Sequence, residues 1–113
     1  MAVTYVFAAV PVADYAAGRA WYERLIGRPP DLIPNDIESA WQLTDTAWIY
    51  VIGDARRAGK TLLTVLVDDL EGFVADLARR GHTVAIEPVP GVGLEALVTD
   101  PEGNTIKFAQ PGG

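Results

Sequence analysis

The first segment with helical periodicity lies near the start of the chain. Its apolar residues recur every three or four positions, as on one face of an α-helix, and Asp14 and Gly27 stand at its two ends. Aspartate can accept hydrogen bonds from a first helical turn, and glycine can adopt the left-handed conformation that ends a helix. We therefore predict an amphipathic helix between them. Its apolar face contains Tyr15, Gly18, Tyr22 and Leu25.

A second helix is predicted further along the chain. Asp68 or Asp69 can cap it, Glu71 lies in its first turn and Gly81 can stop it. Asp69 follows Asp14 by 55 residues and Asp68 follows it by 54, so the two helices are related by a nearly fixed offset. Such an offset is typical of a duplicated module. The apolar face of this helix contains Leu70, Phe73, Val74 and Leu77.

Extended apolar runs rich in β-branched and aromatic residues surround both helices. One run precedes each helix and three follow it, so the sequence predicts two tandem βαβββ modules and an α+β fold. Residues 53–60 are polar and contain glycine, which indicates the connection between the modules. The predicted strands are 5–12, 31–34, 38–43 and 48–52 in the first module, and 61–67, 83–87, 94–99 and 105–109 in the second.

Length, charge and composition narrow the class of protein. A chain of 113 residues with 50% hydrophobic and 21% charged residues fits one globular domain, residues 1–113, with module 1 at about 1–56 and module 2 at about 57–113. A net charge of -6 disfavours nucleic acid as a partner. Cysteine is absent from the sequence, which excludes disulfides and thiolate ligands.

The sequence shows no targeting signal and no apolar run that could span a bilayer. Its first fifteen residues lack a basic region and a small-residue cleavage site. We therefore expect a soluble, cytoplasmic protein that has no membrane partner.

Two motifs resemble those of the vicinal oxygen chelate superfamily, which includes glyoxalase I, fosfomycin resistance proteins, extradiol dioxygenases and bleomycin resistance proteins. Residues 21–27 read Trp-Tyr-Glu-Arg-Leu-Ile-Gly, with Ile26 where the family pattern has leucine, and residues 100–106 read Asp-Pro-Glu-Gly-Asn-Thr-Ile. The second motif also has the proline and glycine of a tight turn between antiparallel strands. The resemblance implies a half-open barrel of mixed sheet and, because relatives usually pair two chains, a homodimer.

The resemblance also implies where a metal would bind. In enzymes of this superfamily, His, Gln or Glu side chains from the first and last strands of each module hold a divalent metal ion. The corresponding positions here are Phe7, Ile52, Leu62 and Lys107. Three of these side chains offer no lone pair and the lysine ammonium repels a cation. We therefore expect neither a metal at these positions nor a cofactor.

The same positions suggest a pocket for a small organic ligand. If Phe7 faces the barrel interior, strand alternation turns Tyr5, Trp48 and Tyr50 the same way. Trp41 alternates with Gln42, and aromatics of this kind line a pocket between subunits in bleomycin-binding relatives, which suggests Trp41 as a ligand contact. Lys107 could pair with an anionic group of the ligand or with an acid such as Glu95 or Glu38. The alternative is that the aromatic residues belong to the core.

Three functions remain open from the sequence. The first is a metal-independent protein that sequesters an aromatic or cationic molecule in a dimer cleft, as bleomycin resistance proteins do. The second is a metal-dependent lyase, isomerase or dioxygenase that uses other ligands, for instance Glu38, Glu87 or Glu95. The third is a non-catalytic interaction or regulatory module. No catalytic residue is identified, because Ser39 and His82 are the only serine and histidine and His82 lies in a predicted turn.

Overall fold

The computed structural model describes residues 1–112 and contains the two predicted modules. The first consists of β1 (Val6–Val12), α1 (Tyr15–Ile26), β2 (Leu32–Asn35), β3 (Glu38–Gln42) and β4 (Ala47–Gly53). The second consists of β5 (Leu62–Leu66), α2 (Leu70–Arg79), β6 (Glu87–Val89), β7 (Gly93–Thr99) and β8 (Thr105–Pro111). The duplicated βαβββ order is confirmed.

Each module forms its own four-stranded mixed sheet. The strand orders are β1-β4-β3-β2 and β5-β8-β7-β6, with the first strand of each module parallel to the fourth and the other pairs antiparallel. The two sheets do not close on each other, so the α+β, half-open architecture is confirmed. Within residues 1–112, no helix is long and apolar enough to cross a membrane.

The helix ends follow the predicted capping chemistry. The Asp14 carboxylate accepts a hydrogen bond from the Ala17 N–H at 3.1 Å, and Gly27 ends α1 with a φ of 88°. Of the two candidate caps of α2, Asp69 is the one used, and it accepts from the Gly72 N–H at 3.0 Å. The caps are therefore 55 residues apart.

The sixth strand lies outside most of its predicted range. The sequence predicts a strand at 83–87, whereas β6 spans Glu87–Val89 and residues 82–86 belong to no strand. Residues 83–86 do alternate between exposed and half-buried side chains. That alternation reflects one-sided burial of an extended segment, which does not require a hydrogen-bonded neighbour. The other predicted strands overlap the observed ones and differ at their ends.

The helices pack on one face of both sheets and share one apolar core. The buried residues of this core come from both modules: Val10, Val12, Tyr22, Leu25, Trp41, Ile49, Val51, Leu70, Leu77, Ala96, Val98, Ile106 and Phe108. The opposite face of each sheet carries no helix. Side chains on that face are therefore available to a ligand or a partner.

The two sequence motifs meet in the buried contact between the modules. The Tyr22 hydroxyl donates to Asp100 Oδ2 at 2.8 Å, and Asn104 Nδ2 donates to the same oxygen at 2.8 Å and to the Pro11 carbonyl at 2.9 Å. Burial and the adjacent Asp100 carboxylate raise the pKa of Tyr22, so its phenol stays protonated and remains a donor. The motifs therefore hold helix α1 and strand β1 against the last hairpin.

Candidate ligand-binding site

Strand alternation places three aromatic side chains on the helix-free face of the first sheet. In β4, Ile49 and Val51 point into the core, so Trp48 and Tyr50 point the other way. Phe7 of β1 lies directly beside Trp48 in the parallel register and shares its face. Phe7, Trp48 and Tyr50, which strand alternation predicted to face the same way, are thus on one surface.

These three rings contact one another. The rings of Phe7 and Trp48 stack with centroids 5.4 Å apart and planes at 16°, and Tyr50 meets Phe7 edge-on at 6.4 Å. Phe7 keeps 49% of its surface exposed. We call Phe7, Trp48 and Tyr50 the aromatic face. Tyr5 precedes β1 and is 54% exposed, and it makes no ring contact with these three residues.

Trp41 lies on the opposite face of the same sheet. It is fully buried beside Ile49, and its indole N–H donates to the Arg28 carbonyl at 2.9 Å. Gln42, the alternative that the sequence left open, lies beside Trp48 on the helix-free face. The expected ligand contact of Trp41 is therefore incompatible with its position, because the shared core covers it completely.

Lys107 lies on the helix-free face of the second sheet. Its Nζ is 3.7 Å from Glu95 Oε2, and both side chains are partly exposed. Glu87 lies beside Glu95 in the neighbouring strand. The structure therefore contains the ion pair that the sequence offered as one alternative for Lys107, together with a second acid beside it.

The strand registers define which positions of the two modules correspond. Phe7 lies beside Trp48 and Leu62 lies beside Thr105. Phe7 and Leu62 are 55 residues apart, whereas Trp48 and Thr105 are 57 apart. The second module therefore has two more residues between its first and fourth strands.

This difference corrects one of the four positions assigned by resemblance to a metal site. Two residues beyond Thr105, Lys107 corresponds to Tyr50 and not to Ile52. The sequence offset was measured at the helix caps and does not hold in the fourth strands.

The residues at the four corresponding positions do not fit a divalent metal ion. Phe7 and Leu62 have no donor atom, Lys107 is a cation, and a single phenol at Tyr50 cannot hold the ion alone. The other candidate metal ligands lie on different sheets: Glu38 belongs to the first sheet, whereas Glu87 and Glu95 belong to the second. Across residues 1–112, no three His, Cys, Asp or Glu side chains form a group that could hold a metal.

His82 lies away from the aromatic face. Its ring meets Trp21 of α1 edge-on at 4.9 Å, and its Nε2 is buried and has no hydrogen-bond partner within residues 1–112. Partial burial, and then the nearby Arg24 and Arg80 guanidinium groups, lower its pKa. A neutral imidazole packed on tryptophan fits a structural role.

Comparison with known proteins identifies relatives by structure. Family models and curated proteins give no match. A glyoxalase/bleomycin resistance protein from Catenulispora acidiphila is 32% identical, with a TM-score of 0.89 over 96% of this chain and 98% of that chain. TnmS3, an antibiotic-binding protein from Streptomyces sp. CB03234, is 26% identical, with a TM-score of 0.74 over 99% of both chains.

A bleomycin-binding protein solved with bleomycin shares the fold. It is 21% identical, with a TM-score of 0.73 over 95% of this chain and 98% of that chain. The Catenulispora protein is similar enough in sequence, over nearly the whole of both chains, to show the family. Together with the duplicated βαβββ modules, it shows that this chain belongs to the glyoxalase/bleomycin resistance family of the vicinal oxygen chelate superfamily.

Proposed function

We propose that this protein binds an aromatic small molecule on the aromatic face and does so without a metal ion. The observation that carries the proposal is the partly exposed stack of Phe7 and Trp48, with Tyr50 at its edge. Rings that stack on each other outside the core keep apolar area in contact with water, and a planar ligand would cover that area. The antibiotic-binding and bleomycin-binding proteins of the same fold support a small-molecule ligand.

Positive charge on the ligand fits the electrostatics of the protein. The chain has a net charge of -6, and Glu38 lies on the same side of the first sheet as the aromatic face, because it is paired with Ile52. Tryptophan and tyrosine faces also attract cations. On the second sheet, Lys107 forms an ion pair with Glu95 and would contact a polar group of the ligand. The two sheets would then recognise different parts of one molecule.

A homodimer would complete this site. In a single chain the aromatic face is open to solvent, and the second sheet exposes Leu62, Leu66 and Leu97. Leu62 and Leu97 share the helix-free face with Lys107, through their pairing with Thr105 and Lys107. A second copy that covered these residues would bury their apolar surface and shield the ligand from water.

The binding surface is tested by titrating the protein with bleomycin and with acridine orange, a planar aromatic cation. Saturable binding is expected with at least one probe, and Trp48→Ala should weaken it at least about tenfold, because aromatic anchors contribute most to such contacts. Calorimetry measures the affinity. The matched control is Trp21→Ala, which removes an indole packed away from this face. Absence of binding, or equal loss in both variants, would contradict the proposal.

Native mass spectrometry tests the metal and dimer parts of the proposal. The protein is measured as purified and after addition of Mn²⁺, Ni²⁺ or Zn²⁺. We expect a dimer whose mass does not change with metal, since the donor atoms of a divalent site are not brought together. Stoichiometric metal uptake would overturn metal independence, and a monomer at micromolar concentration would overturn the dimer.

A further inference from the structure

A cleft lies between the two modules, on the side of the sheets that carries the helices. It has a volume of about 260 Å³. Its walls come from the end of α1, the turn between β3 and β4, strand β5 and the first turns of α2. We call it the seam cleft. Its lining residues include Ile26, Arg28, Thr44, Val65 and Phe73.

The seam cleft is separate from the aromatic face. Ile49 and Phe108 also line it, and both belong to the core between sheets and helices. Trp48 and Tyr50 point to the other side of that layer, because they alternate with Ile49 along β4. A molecule in the seam cleft would therefore contact neither ring.

The lining is apolar except at one end. Its only ionisable side chain is Arg28, and its only hydroxyl is that of Thr44. Arg28 Nη2 donates to Asp31 Oδ2 at 2.9 Å and to the Gln42 carbonyl, so an acid already balances its charge. Both side-chain hydrogen bonds of Arg28 within residues 1–112 use Nη2, and the guanidinium has further N–H donors to offer. This end suits a neutral acceptor better than an anion, which Asp31 would repel.

We propose that the seam cleft is a second ligand site, for a neutral, largely apolar molecule with a hydrogen-bond acceptor at one end. An apolar cavity of roughly 150 Å³ is enough to hold benzene, so the seam cleft has room for about two fused rings. The ligand contacts both modules, and its binding therefore stabilises their association.

Prodan, a neutral naphthyl ketone whose emission shifts to the blue in apolar surroundings, tests the proposal. The wild-type protein should bind it saturably with a blue shift. Val65→Phe, which places a larger side chain in the cleft, should weaken binding at least about tenfold. Val92→Phe, the same substitution at an exposed residue before β7 that does not line the cleft, should leave prodan binding unchanged. Equal binding to Val65→Phe and wild type would overturn the proposal.

Two-dimensional amide NMR of the unaltered protein gives a result that does not depend on a variant folding. Prodan should move the amide signals of Ile26, Val65 and Phe73, whether or not it also moves those of Phe7 and Trp48. Arg28→Met should weaken prodan binding without changing that of naphthalene, which has no acceptor. Shifts confined to the aromatic face would refute the second site while leaving the proposed function intact. Val65→Phe should bind bleomycin as the wild type does, because Val65 does not belong to the aromatic face.

Discussion

Asp100→Ala is expected to lower the free energy of unfolding by about 3–5 kcal/mol, a large part of what a domain of this size has. The Asp100 carboxylate is nearly fully buried and accepts hydrogen bonds from four donors: the Tyr22 hydroxyl, the side-chain amide of Asn104, and the backbone N–H groups of Glu102 and Asn104. Alanine leaves these buried donors without their acceptor. Urea denaturation followed by circular dichroism measures the change.

Tyr22→Phe is the matched comparison for this variant. It removes one donor and keeps the ring in the core, so we expect a loss of about 1–2 kcal/mol. The double variant should lose less unfolding free energy than the sum of the two single losses, because each single variant already removes the Tyr22–Asp100 hydrogen bond. Simple additivity, or an Asp100→Ala variant as stable as wild type, would show that the two motifs do not act through this contact.

Trp41→Ala and Trp48→Ala are expected to change different properties. The first should lower stability, and the second should weaken ligand binding. Trp41 is fully buried and its indole N–H is hydrogen-bonded to Arg28, so its truncation should lower the free energy of unfolding by about 3–5 kcal/mol. Trp48 lies on the open side of the sheet, and its truncation should cost about 1 kcal/mol or less. Thermal and urea denaturation measure stability, and titration with bleomycin measures binding.

Trp41→Phe separates the packing of the ring from its hydrogen bond. It should retain most of the stability that alanine loses, because an aromatic ring still fills much of the site. A Trp41→Ala variant that folds stably but no longer binds bleomycin would restore Trp41 as a ligand contact. A loss of stability in Trp48→Ala as large as that in Trp41→Ala would place Trp48 in the core.

The helices could be predicted from the sequence because their signals are local. Asp14 and Gly27 act within a turn of the residues they cap, so the order of residues already specifies the geometry. The duplicated βαβββ order followed from the repeated spacing of these signals. The grouping of Phe7, Trp48 and Tyr50 on one face followed from the two-residue period of a strand.

What the sequence left open depends on contacts between distant segments. The two-residue period of a strand places Trp41 and Gln42 on opposite faces of the sheet but does not say which of them faces the helices. The packing of α1 on β4 determines that Trp41 does. The apolar and β-branched residues of 83–87 suggested a strand there, although pairing begins only at Glu87. The correspondence of Lys107 with Tyr50 appears only in the strand registers, because two residues are added within the second module.

The pairing of each first strand with the last strand of its module constrains how the chain can fold as the ribosome makes it. β1 must wait for β4, since Val6 pairs with Ala47, and β5 must wait for β8, since Leu62 pairs with Thr105. The first sheet can form while the second module is still being made. β5, at the edge of its sheet, pairs only with β8, so nascent chains stalled before residue 105 would carry one finished sheet and an unpaired apolar strand open to chaperones and to aggregation.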